Sequence, residues 1–161
     1  MIKSGFDFTE FSQYVQNLGI AKQDFRIWLK TFLLQQAQRV VRQAKLRQRA
    51  VGAIDTGAMI NSWYIGKEKI ELKTINGKSK SGRARVTKDL ENSSVQDIRV
   101  VGNVLEVVIG NSMEYASFIE YGHHSYEGKY LLTIAIDTVQ NALQGRFNSE
   151  FKKFLKDKGV V

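Results

Sequence analysis

The side chains best suited to chemistry are two adjacent histidines, His123 and His124, because the sequence contains no cysteine. As metal ligands they would need a third donor, for which Glu120 and Glu127 are the candidate carboxylates. Histidines that share a metal on a helix usually stand four residues apart, and this spacing is missing. Two solvated loop histidines are therefore the simpler interpretation, and we predict no metal site.

Nucleophilic and phosphate-binding chemistry have no stronger support. A hydrolase would have to pair one of the histidines with Ser117 or Ser125, which only their proximity in the sequence favours. The phrase Asn76-Gly77-Lys78-Ser79 places a lysine and a serine after a glycine, but the preceding glycine of a P-loop and a following helix signal are missing. We therefore predict that the protein is not an enzyme and binds no cofactor.

Positive charge is concentrated in two segments without acids. The chain has 24 Lys and Arg against 16 Asp and Glu, which gives a formal net charge of +8. One acid-free segment lies between Asp24 and Asp55, and the other lies between Glu71 and Asp89. Clustered charge of one sign favours an acidic partner, which is either a nucleic acid or an acidic protein surface.

The second acid-free segment belongs to a predicted loop from Asn76 to Ser94. Its length of roughly 19 residues exceeds ordinary connections, which indicates a functional or a disordered segment. Either it is a solvated, flexible insert, or it is an arm that becomes ordered on an acidic partner. Because aromatic residues are absent between Tyr64 and Tyr115, a contact with nucleic acid would reach phosphates without reading the sequence. The bases singled out here are Lys78, Lys80, Arg83, Arg85 and Lys88.

An aromatic stretch from Tyr115 to Gly122 has the spacing of a short helix. One side of that helix would carry Tyr115, Phe118, Ile119 and Gly122, and the glycine would end it. One interpretation is core packing onto a sheet, with Glu120 bonded to a nearby backbone amide or to a base. The other is a subunit interface, where tyrosine is enriched. The two interpretations are compatible.

The length and composition bound the class of protein. At 161 residues with 43% hydrophobic residues, the chain is predicted to form a single globular domain over residues 1–161. No apolar run approaches the roughly 20 residues of a membrane span. The N-terminus lacks the apolar core of a signal peptide, so we expect a soluble protein made in the cytoplasm.

The helical segments are predicted at both ends of the chain. The N-terminal helices occupy about residues 7–50: one begins at Asp7, with Glu10 as its capping-box partner, and a longer one runs from Ala21 to Ala50. A short element begins at Asp55 or Thr56. The C-terminal helix covers about residues 129–156, and Gly145 is the predicted position of a bend or break.

The strands lie between these helices, in the segment from about residue 55 to 122. Alternating residues predict one strand from Ser62 to Ile75, with Gly66 as a candidate bulge. The segments Asp97 to Val101 and Val104 to Ile109 form a predicted hairpin. We predict an α+β fold, in which a small, mostly antiparallel sheet packs against long N- and C-terminal helices.

Two phrases in this order resemble a known family. The segment from Asp55 to Trp63 is similar to a "TG-x-L-x-x-S" phrase, and the segment from Tyr115 to Gly122 is similar to a "YA-x-x-x-E-x-G" phrase. Both phrases are typical of the gene-product-ten-like tail-completion or head–tail joining proteins of long-tailed bacteriophages and prophages. The resemblance spans about residues 20 to 155. Met59 departs from the usual leucine, and His123 departs from the usual threonine.

The resemblance implies a structural protein of the virion neck. Such a protein is expected to assemble in a ring between the head connector and the tail, and to be a monomer or a weak oligomer in isolation. It would reside in the virion, and in the host cytoplasm during assembly, without contact with a membrane. Its basic loop would touch neighbours or DNA. The resemblance implies that one set of motif residues defines the fold or forms an interface. These residues are Thr56, Gly57, Ser62, Tyr115, Ala116, Glu120 and Gly122.

The alternative prediction from the charge alone is a small, basic domain that binds nucleic acid without sequence specificity. It would act without virion neighbours, and its binding would weaken steeply as salt rises. Failure to bind DNA at about 50 mM salt would contradict this alternative.

Overall fold

The computed structural model describes residues 2–91, 93 and 96–160, which form an α+β fold as predicted. The helices are α1 (Thr9–Asn17), α2 (Lys22–Ala50), α3 (Ala58–Asn61), α4 (Ala116–Tyr121), α5 (Leu131–Asn141) and α6 (Leu143–Asp157). The strands are β1 (Ile2–Asp7), β2 (Trp63–Ile65), β3 (Leu72–Lys78), β4 (Ala84–Lys88), β5 (Arg99–Val101), β6 (Val104–Asn111), β7 (Gly122–His123) and β8 (Tyr126–Glu127). Every helix within the described residues is too short or too polar to cross a lipid bilayer.

The central strand of the main sheet is β6. Its first six residues pair with β1 in antiparallel register, from Asp7 opposite Val104 to Ile2 opposite Ile109. Its other side pairs first with β5 and then with β2, which are also antiparallel. The hairpin of β5 and β6 was predicted correctly, with a turn at Gly102 and Asn103. Strand β6 therefore connects the N-terminus to the segment that carries the first motif.

The long helix α2 joins the two halves of the core. Its apolar positions follow the period of the α-helix, so apolar side chains lie along one side of the helix over all eight turns. Around its first half lies a cluster that includes Phe8 at the start of α1, Phe25 of α2 and Phe154 of α6. Its second half packs against β2, β6 and α5 in a cluster that includes Trp63 and Leu131. The buried residues of α2 are Phe25, Leu29, Phe32, Gln36, Ala37, Val40, Ala44 and Gln48.

Two predictions near the N-terminus need correction. The chain enters as strand β1, so α1 begins at Thr9 instead of Asp7. Asp7 still shapes this junction, because its Oδ1 accepts hydrogen bonds from the backbone N of Thr9 at 2.9 Å and from its hydroxyl at 2.7 Å. Among the described residues, no hydrogen bond of Glu10 completes a capping box. Asp7 therefore stabilises the start of α1 without the reciprocal hydrogen bond that a capping box would add within these residues.

The predicted strand from Ser62 to Ile75 is wrong as a single element. Strand β2 ends at Ile65, and Gly66 forms an isolated bridge with Gln96 in place of the expected bulge. The chain then leaves the main sheet through a turn in which the N–H of Lys69 bonds to the carbonyl of Lys67 at 3.0 Å. The second part of the predicted strand becomes β3, which belongs to a different sheet.

The predicted loop from Asn76 to Ser94 is largely a hairpin. Strands β3 and β4 pair in antiparallel register, with an irregularity between Ile75 and Lys78. The strands expose most of their side chains, so they lack the alternation of buried and exposed residues by which a strand is predicted. Residues 92 and 94 of the predicted loop lie outside the described residues.

The predicted C-terminal helix is divided into α5 and α6. The break lies at Ala142 (φ −105°, ψ 4°), three residues before Gly145, which was the predicted position. Arg146 stabilises this junction by donating one hydrogen bond to the Val139 carbonyl and another, from Nε, to Oε1 of Gln36 at 2.7 Å. The first contact closes the end of α5, and the second attaches the junction to α2.

Candidate interaction site

Glu120 is the central polar residue of the second motif. It is 7% exposed, and its carboxylate accepts hydrogen bonds from the backbone N–H groups of Leu132 and Thr133, both at 2.9 Å, and from the Thr133 hydroxyl at 2.7 Å. These groups lie at the start of α5, where free amides and the helix dipole attract a negative charge. The predicted bond of Glu120 to a backbone amide is therefore confirmed, and it attaches α4 to α5.

Gly122 ends α4 with φ 86°, a conformation that favours glycine. A Cβ atom at this position would lie 2.8 Å from the backbone N of Gly128. The small hairpin of β7 and β8 therefore folds tightly back on the end of the helix. The N–H of Lys129 then bonds to the Ile119 carbonyl at 2.7 Å, which fixes the path into α5.

The first motif forms α3 and the turn before it. Gly57 has φ 89°, and a Cβ atom there would lie 2.8 Å from the carbonyl oxygen of Val86 in the hairpin. The Thr56 hydroxyl accepts a hydrogen bond from the N–H of Ala58 at 3.2 Å, which closes the first turn. Ser62 is fully buried, and its hydroxyl donates to the Ala58 carbonyl at 2.7 Å. Each of these residues thus has a local role in shaping α3.

The two motifs are brought together by the end of β6. The side-chain amide of Asn111 donates to the Met59 carbonyl at 2.7 Å, and the N–H of Ser112 donates to the Ser62 carbonyl at 3.1 Å. Between the motifs lies an open cleft of about 390 Å³. Its lining includes Gly57, Met59, Arg83, Tyr115, Ile119 and Tyr126.

Tyr115 lies at the rim of this cleft. Burial raises the pKa of its hydroxyl, and a hydrogen bond with the Met59 backbone opposes this shift. The ring nevertheless remains substantially exposed. A phenol that is bonded on one side and open on the other is typical of residues that contact a partner.

Several aromatic rings around the second motif are exposed. Phe118 is 49% exposed and Tyr121 is 62% exposed, whereas Ala116 and Ile119 of the same helix pack against the core. The core-packing interpretation therefore holds for the small and aliphatic residues of α4, and the aromatic residues face outward. We call this set the aromatic surface: Tyr115, Phe118, Tyr121, Tyr126 and Tyr130.

The hairpin of β3 and β4, which we call the basic hairpin, is attached beside the first motif. The N–H of Val86 donates to the Thr56 carbonyl at 2.9 Å, and the amide of Asn61 donates to the Val86 carbonyl at 3.2 Å. At the tip, Asp55 accepts hydrogen bonds from the backbone and the hydroxyl of Ser81, at 3.2 and 2.5 Å. These bonds, the hydroxyl first, hold the pKa of Asp55 below its usual value. The hairpin is thus fixed at its tip and along β4.

The predicted basic residues occupy both strands and the turn of this hairpin. Lys78, Lys80, Arg83 and Arg85 are exposed, and Lys88 is partly buried at the end of β4. Burial lowers the pKa of Lys45 on α2, and the neighbouring charges of Lys88 and Arg49 lower it further. Lys45 belongs to the first acid-free segment of the sequence and Lys88 to the second, so the positive charge of one segment acts on the other.

The two histidines lie in the small hairpin of β7 and β8. Their rings are 3.9 Å apart, and the ring of His123 also contacts Phe118 at 4.8 Å. Both carboxylate oxygens of Glu120, a suggested third ligand, are bonded at the start of α5. Over residues 2–91, 93 and 96–160, no group of three His, Asp or Glu side chains is arranged to hold a metal ion.

Gln48, which no sequence pattern singled out above, is fully buried in α2. Its amide donates to the Ala53 carbonyl at 2.9 Å, and its Oε1 accepts from the indole of Trp63 at 3.2 Å. It thereby connects α2 with the turn before the first motif and with β2. Its position four residues after Ala44, on the apolar side of α2, is a detectable signal for a buried polar residue.

Residues 10–122 match the protein family described as "Bacteriophage HK97-gp10, putative tail-component". The match covers both motifs and most of the chain, and the chain belongs to this family. No curated protein and no solved structure matches the chain significantly. The family is one of phage tail components, so the protein is a structural component of a bacteriophage virion.

Proposed function

We propose that this member of the HK97-gp10-like family is a neck protein that joins the head of a bacteriophage to its tail. Copies of the chain form a ring between the head connector and the tail, and the isolated chain is a monomer or a weak oligomer. It assembles in the host cytoplasm before it becomes part of the particle. The protein holds macromolecules together without catalysing a reaction, and it requires no cofactor.

The aromatic surface is the observation that carries this proposal. Large exposed apolar side chains that lie together mark interaction sites, and tyrosine is enriched in the core of interfaces. These rings project from a part of the fold that Glu120 and Gly122 hold in place, so little conformational freedom is lost when a partner binds. A rigid aromatic surface suits contact with a neighbouring subunit or with a tail protein.

The motif residues divide between two proposed roles. Thr56, Gly57, Ser62, Ala116, Glu120 and Gly122 define the fold, whereas Tyr115 is part of the contact. The basic hairpin, with Lys78, Lys80, Arg83, Arg85 and Lys88, faces a neighbouring protein or the DNA channel.

Complementation of a phage or prophage that lacks this gene tests the proposal. We expect Phe118→Ala combined with Tyr121→Ala to reduce infectious particles at least tenfold. Electron micrographs should show free tails beside DNA-filled heads. The matched control is Tyr14→Ala on α1, which removes a ring that is 52% exposed but lies outside the aromatic surface. Thermal unfolding of each purified variant verifies that the fold is retained.

Two results would contradict the proposal in different ways. Normal joining by the double variant would exclude the aromatic surface as the contact. Normal joining in the complete absence of the protein would exclude the neck function itself.

A stand-alone domain for nucleic-acid binding is the second candidate function, and the acid-free hairpin favours it. Such a domain would bind duplex DNA with a steep dependence on salt. Its loss would leave the joining of heads and tails unchanged, which separates the two candidates.

A further inference from the structure

A groove runs along the surface between α2 and α5. Two adjoining depressions form it, with volumes of about 270 and 170 Å³. Gln43, Leu46 and Thr138 line both depressions, so the two are continuous. On α2 the groove extends from Arg39 to Ala50, which is a rise of about 16 Å or three helical turns. The groove is therefore long enough to receive a short helix of another protein.

The larger depression is lined largely by apolar side chains. Leu46 of α2 is 45% exposed and Ile134 of α5 is 37% exposed, whereas Ala135 beside them is buried. Tyr130, one turn before Ile134, belongs to the aromatic surface, and its carbonyl accepts a hydrogen bond from the N–H of Ile134 at 3.1 Å. The groove therefore continues the exposed apolar area of the aromatic surface along α5.

Four arginines lie along the groove, and two of them are held in place by hydrogen bonds. Nε of Arg47 donates to the Lys129 carbonyl at 2.9 Å, and Nε of Arg146 donates to Oε1 of Gln36 at 2.7 Å. Burial lowers the pKa of Arg146, and the neighbouring charge of Arg39 lowers it further. The four arginines are Arg39, Arg42, Arg47 and Arg146.

Acidic side chains are missing from this groove. Within the part of the chain that the structure describes, no Asp or Glu lines either depression, and the ion pairs found there involve none of the four arginines. Helix α2 has no acid after Asp24, and Asp137 of α5 is exposed outside the lining. The groove thus combines an apolar lining with uncompensated positive charge, which favours an acidic occupant.

We propose that the groove between α2 and α5 is a docking site for an acidic, amphipathic helix of a partner protein. The apolar side of that helix covers Leu46 and Ile134, as in other helix-in-groove complexes. Its carboxylates pair with the arginines, whose planar guanidinium groups can bind a carboxylate through two hydrogen bonds. This inference adds a second contact beside the aromatic surface, and it does not depend on the place of the protein in the particle.

The apolar lining favours a protein helix over nucleic acid. Phosphates would pair with the arginines, but the backbone of a duplex has no apolar group that would cover Leu46 and Ile134. A second copy of this chain is also disfavoured, because its formal net charge of +8 opposes an approach to four arginines. Both occupants nevertheless give distinct results in the experiment.

Fluorescence anisotropy with a labelled, designed peptide tests the site. The peptide has about 15 residues, with leucines three and four positions apart on one side of a helix and glutamates on either side of them. We expect the wild type to bind it with a Kd below about 100 μM at about 50 mM NaCl. Two companion peptides, with glutamine in place of glutamate or serine in place of leucine, should each bind at least about tenfold more weakly.

The groove variant combines Arg42→Gln with Leu46→Gln, and its matched control combines Lys22→Gln with Ile27→Gln. Each removes one exposed cation and one exposed apolar side chain from α2, but Lys22 and Ile27 lie outside the groove. Glutamine is a good helix former, so α2 should be retained in both. We expect the groove variant to bind the peptide at least about tenfold more weakly, and the control to change by less than about twofold.

Thermal unfolding shows whether both variants remain folded. If the groove variant unfolds, NMR of the wild type with a spin-labelled peptide replaces it. The label should broaden the amide signals of Gln43 and Thr138, which line both depressions, and should leave the signal of Ile27 unchanged.

Four results would overturn the inference. The first two are a Kd of the wild type weaker than about 1 mM and an equal loss of affinity in the groove variant and its control. The third is displacement of the peptide by a duplex of about 24 base pairs at concentrations below the Kd of the peptide, which would assign the groove to nucleic acid. The fourth is self-association of the wild type that the groove variant abolishes, which would assign it to a second copy.

The peptide experiment is separate from the test of the neck function. It uses the purified chain, whereas complementation uses the assembled particle. Heads and tails that join without the protein would contradict the neck function and leave the peptide result unaffected. Normal joining combined with no peptide binding would contradict only the docking site.

Discussion

The carboxylate of Glu120 gives the second motif a physical role. It satisfies two backbone amides and one hydroxyl at the start of α5, in a buried position where water cannot replace it. Two rings of the aromatic surface depend on this bond, since α4 carries Phe118 and Tyr121 and α5 supports α4.

We predict that Glu120→Gln lowers the free energy of unfolding by about 1.5–3 kcal/mol, because a charge-assisted bond is weakened and a buried amide gains no clear partner. Chemical denaturation measures this change. The control is Glu114→Gln, an exposed residue nearby, for which we expect a change below about 0.5 kcal/mol. Equal effects in the two variants would show that the Glu120 bond does not stabilise the fold.

Gly57 allows the first motif and the hairpin to touch. We predict that Gly57→Ala lowers the free energy of unfolding by about 2 kcal/mol or more, because the added methyl group meets both an unfavourable φ and the Val86 carbonyl. The control is Gly82→Ala, which has φ 79° but nothing within 4 Å of the added atom. The difference between the variants measures the close approach alone, and no difference would contradict our account of the contact.

At the scale of elements, the hairpin of β3 and β4 is the part that sequence patterns described least well. An Asn-Gly pair usually marks a turn, but Asn76 and Gly77 lie inside β3, at the irregularity of the pairing. A hairpin that buries few side chains leaves no periodic pattern. Strand β1 was missed for a related reason, because its conformation comes from pairing with β6, about one hundred residues away in the sequence.

The helices were predictable because α2 and α5 bury regular apolar faces. The bond of Glu120 to an amide was also predictable, but its position at the start of α5 was not, since that depends on how two helices pack. The outward orientation of Phe118 could not be deduced either. The same spacing on a short helix fits a buried or an exposed aromatic side, and the tertiary contacts decide between them.

The bond between Asp55 and Ser81 makes the hairpin tip sensitive to acid. The pKa of Asp55 is lower in the folded protein than its ordinary value of 3.8. Its contribution to stability is therefore present above the ordinary value and is lost as the pH falls through the lowered pKa. We predict that the NMR signal of the Ser81 amide titrates with a midpoint below 3.8.

In Asp55→Asn, this titration of the Ser81 amide should disappear while the signals of α2 stay unchanged. A midpoint at 3.8 or above in the wild type would contradict the role of the hydroxyl bond.

For the whole molecule, the uneven distribution of charge has consequences for stability. Burial and the charges of Lys88 and Arg49 disfavour the charged form of Lys45. We predict that Lys45→Gln raises the free energy of unfolding by about 0.5 kcal/mol, because like charges on neighbouring turns repel. Urea denaturation at 50 and 500 mM NaCl measures the change, and the gain should shrink at high salt, which screens the repulsion.

The control for this comparison is Lys152→Gln, which removes an exposed charge from α6. We expect it to leave the free energy of unfolding and its salt dependence nearly unchanged. A loss of stability in Lys45→Gln at both salt concentrations would mean that the lysine stem contributes more by packing than its charge costs.

The two tryptophans of the chain stand in different halves of the core. Trp63 belongs to the cluster around β2 and α5, whereas Trp28 packs against the other cluster, where its ring stacks on Phe25 and on Phe154. Intrinsic fluorescence can therefore follow each half separately, with Trp28→Phe leaving one emitter and Trp63→Phe leaving the other. Coincident unfolding midpoints would indicate one cooperative unit, as expected of a single domain. Separate midpoints would mean that the two halves of the core unfold independently, although α2 runs through both of them.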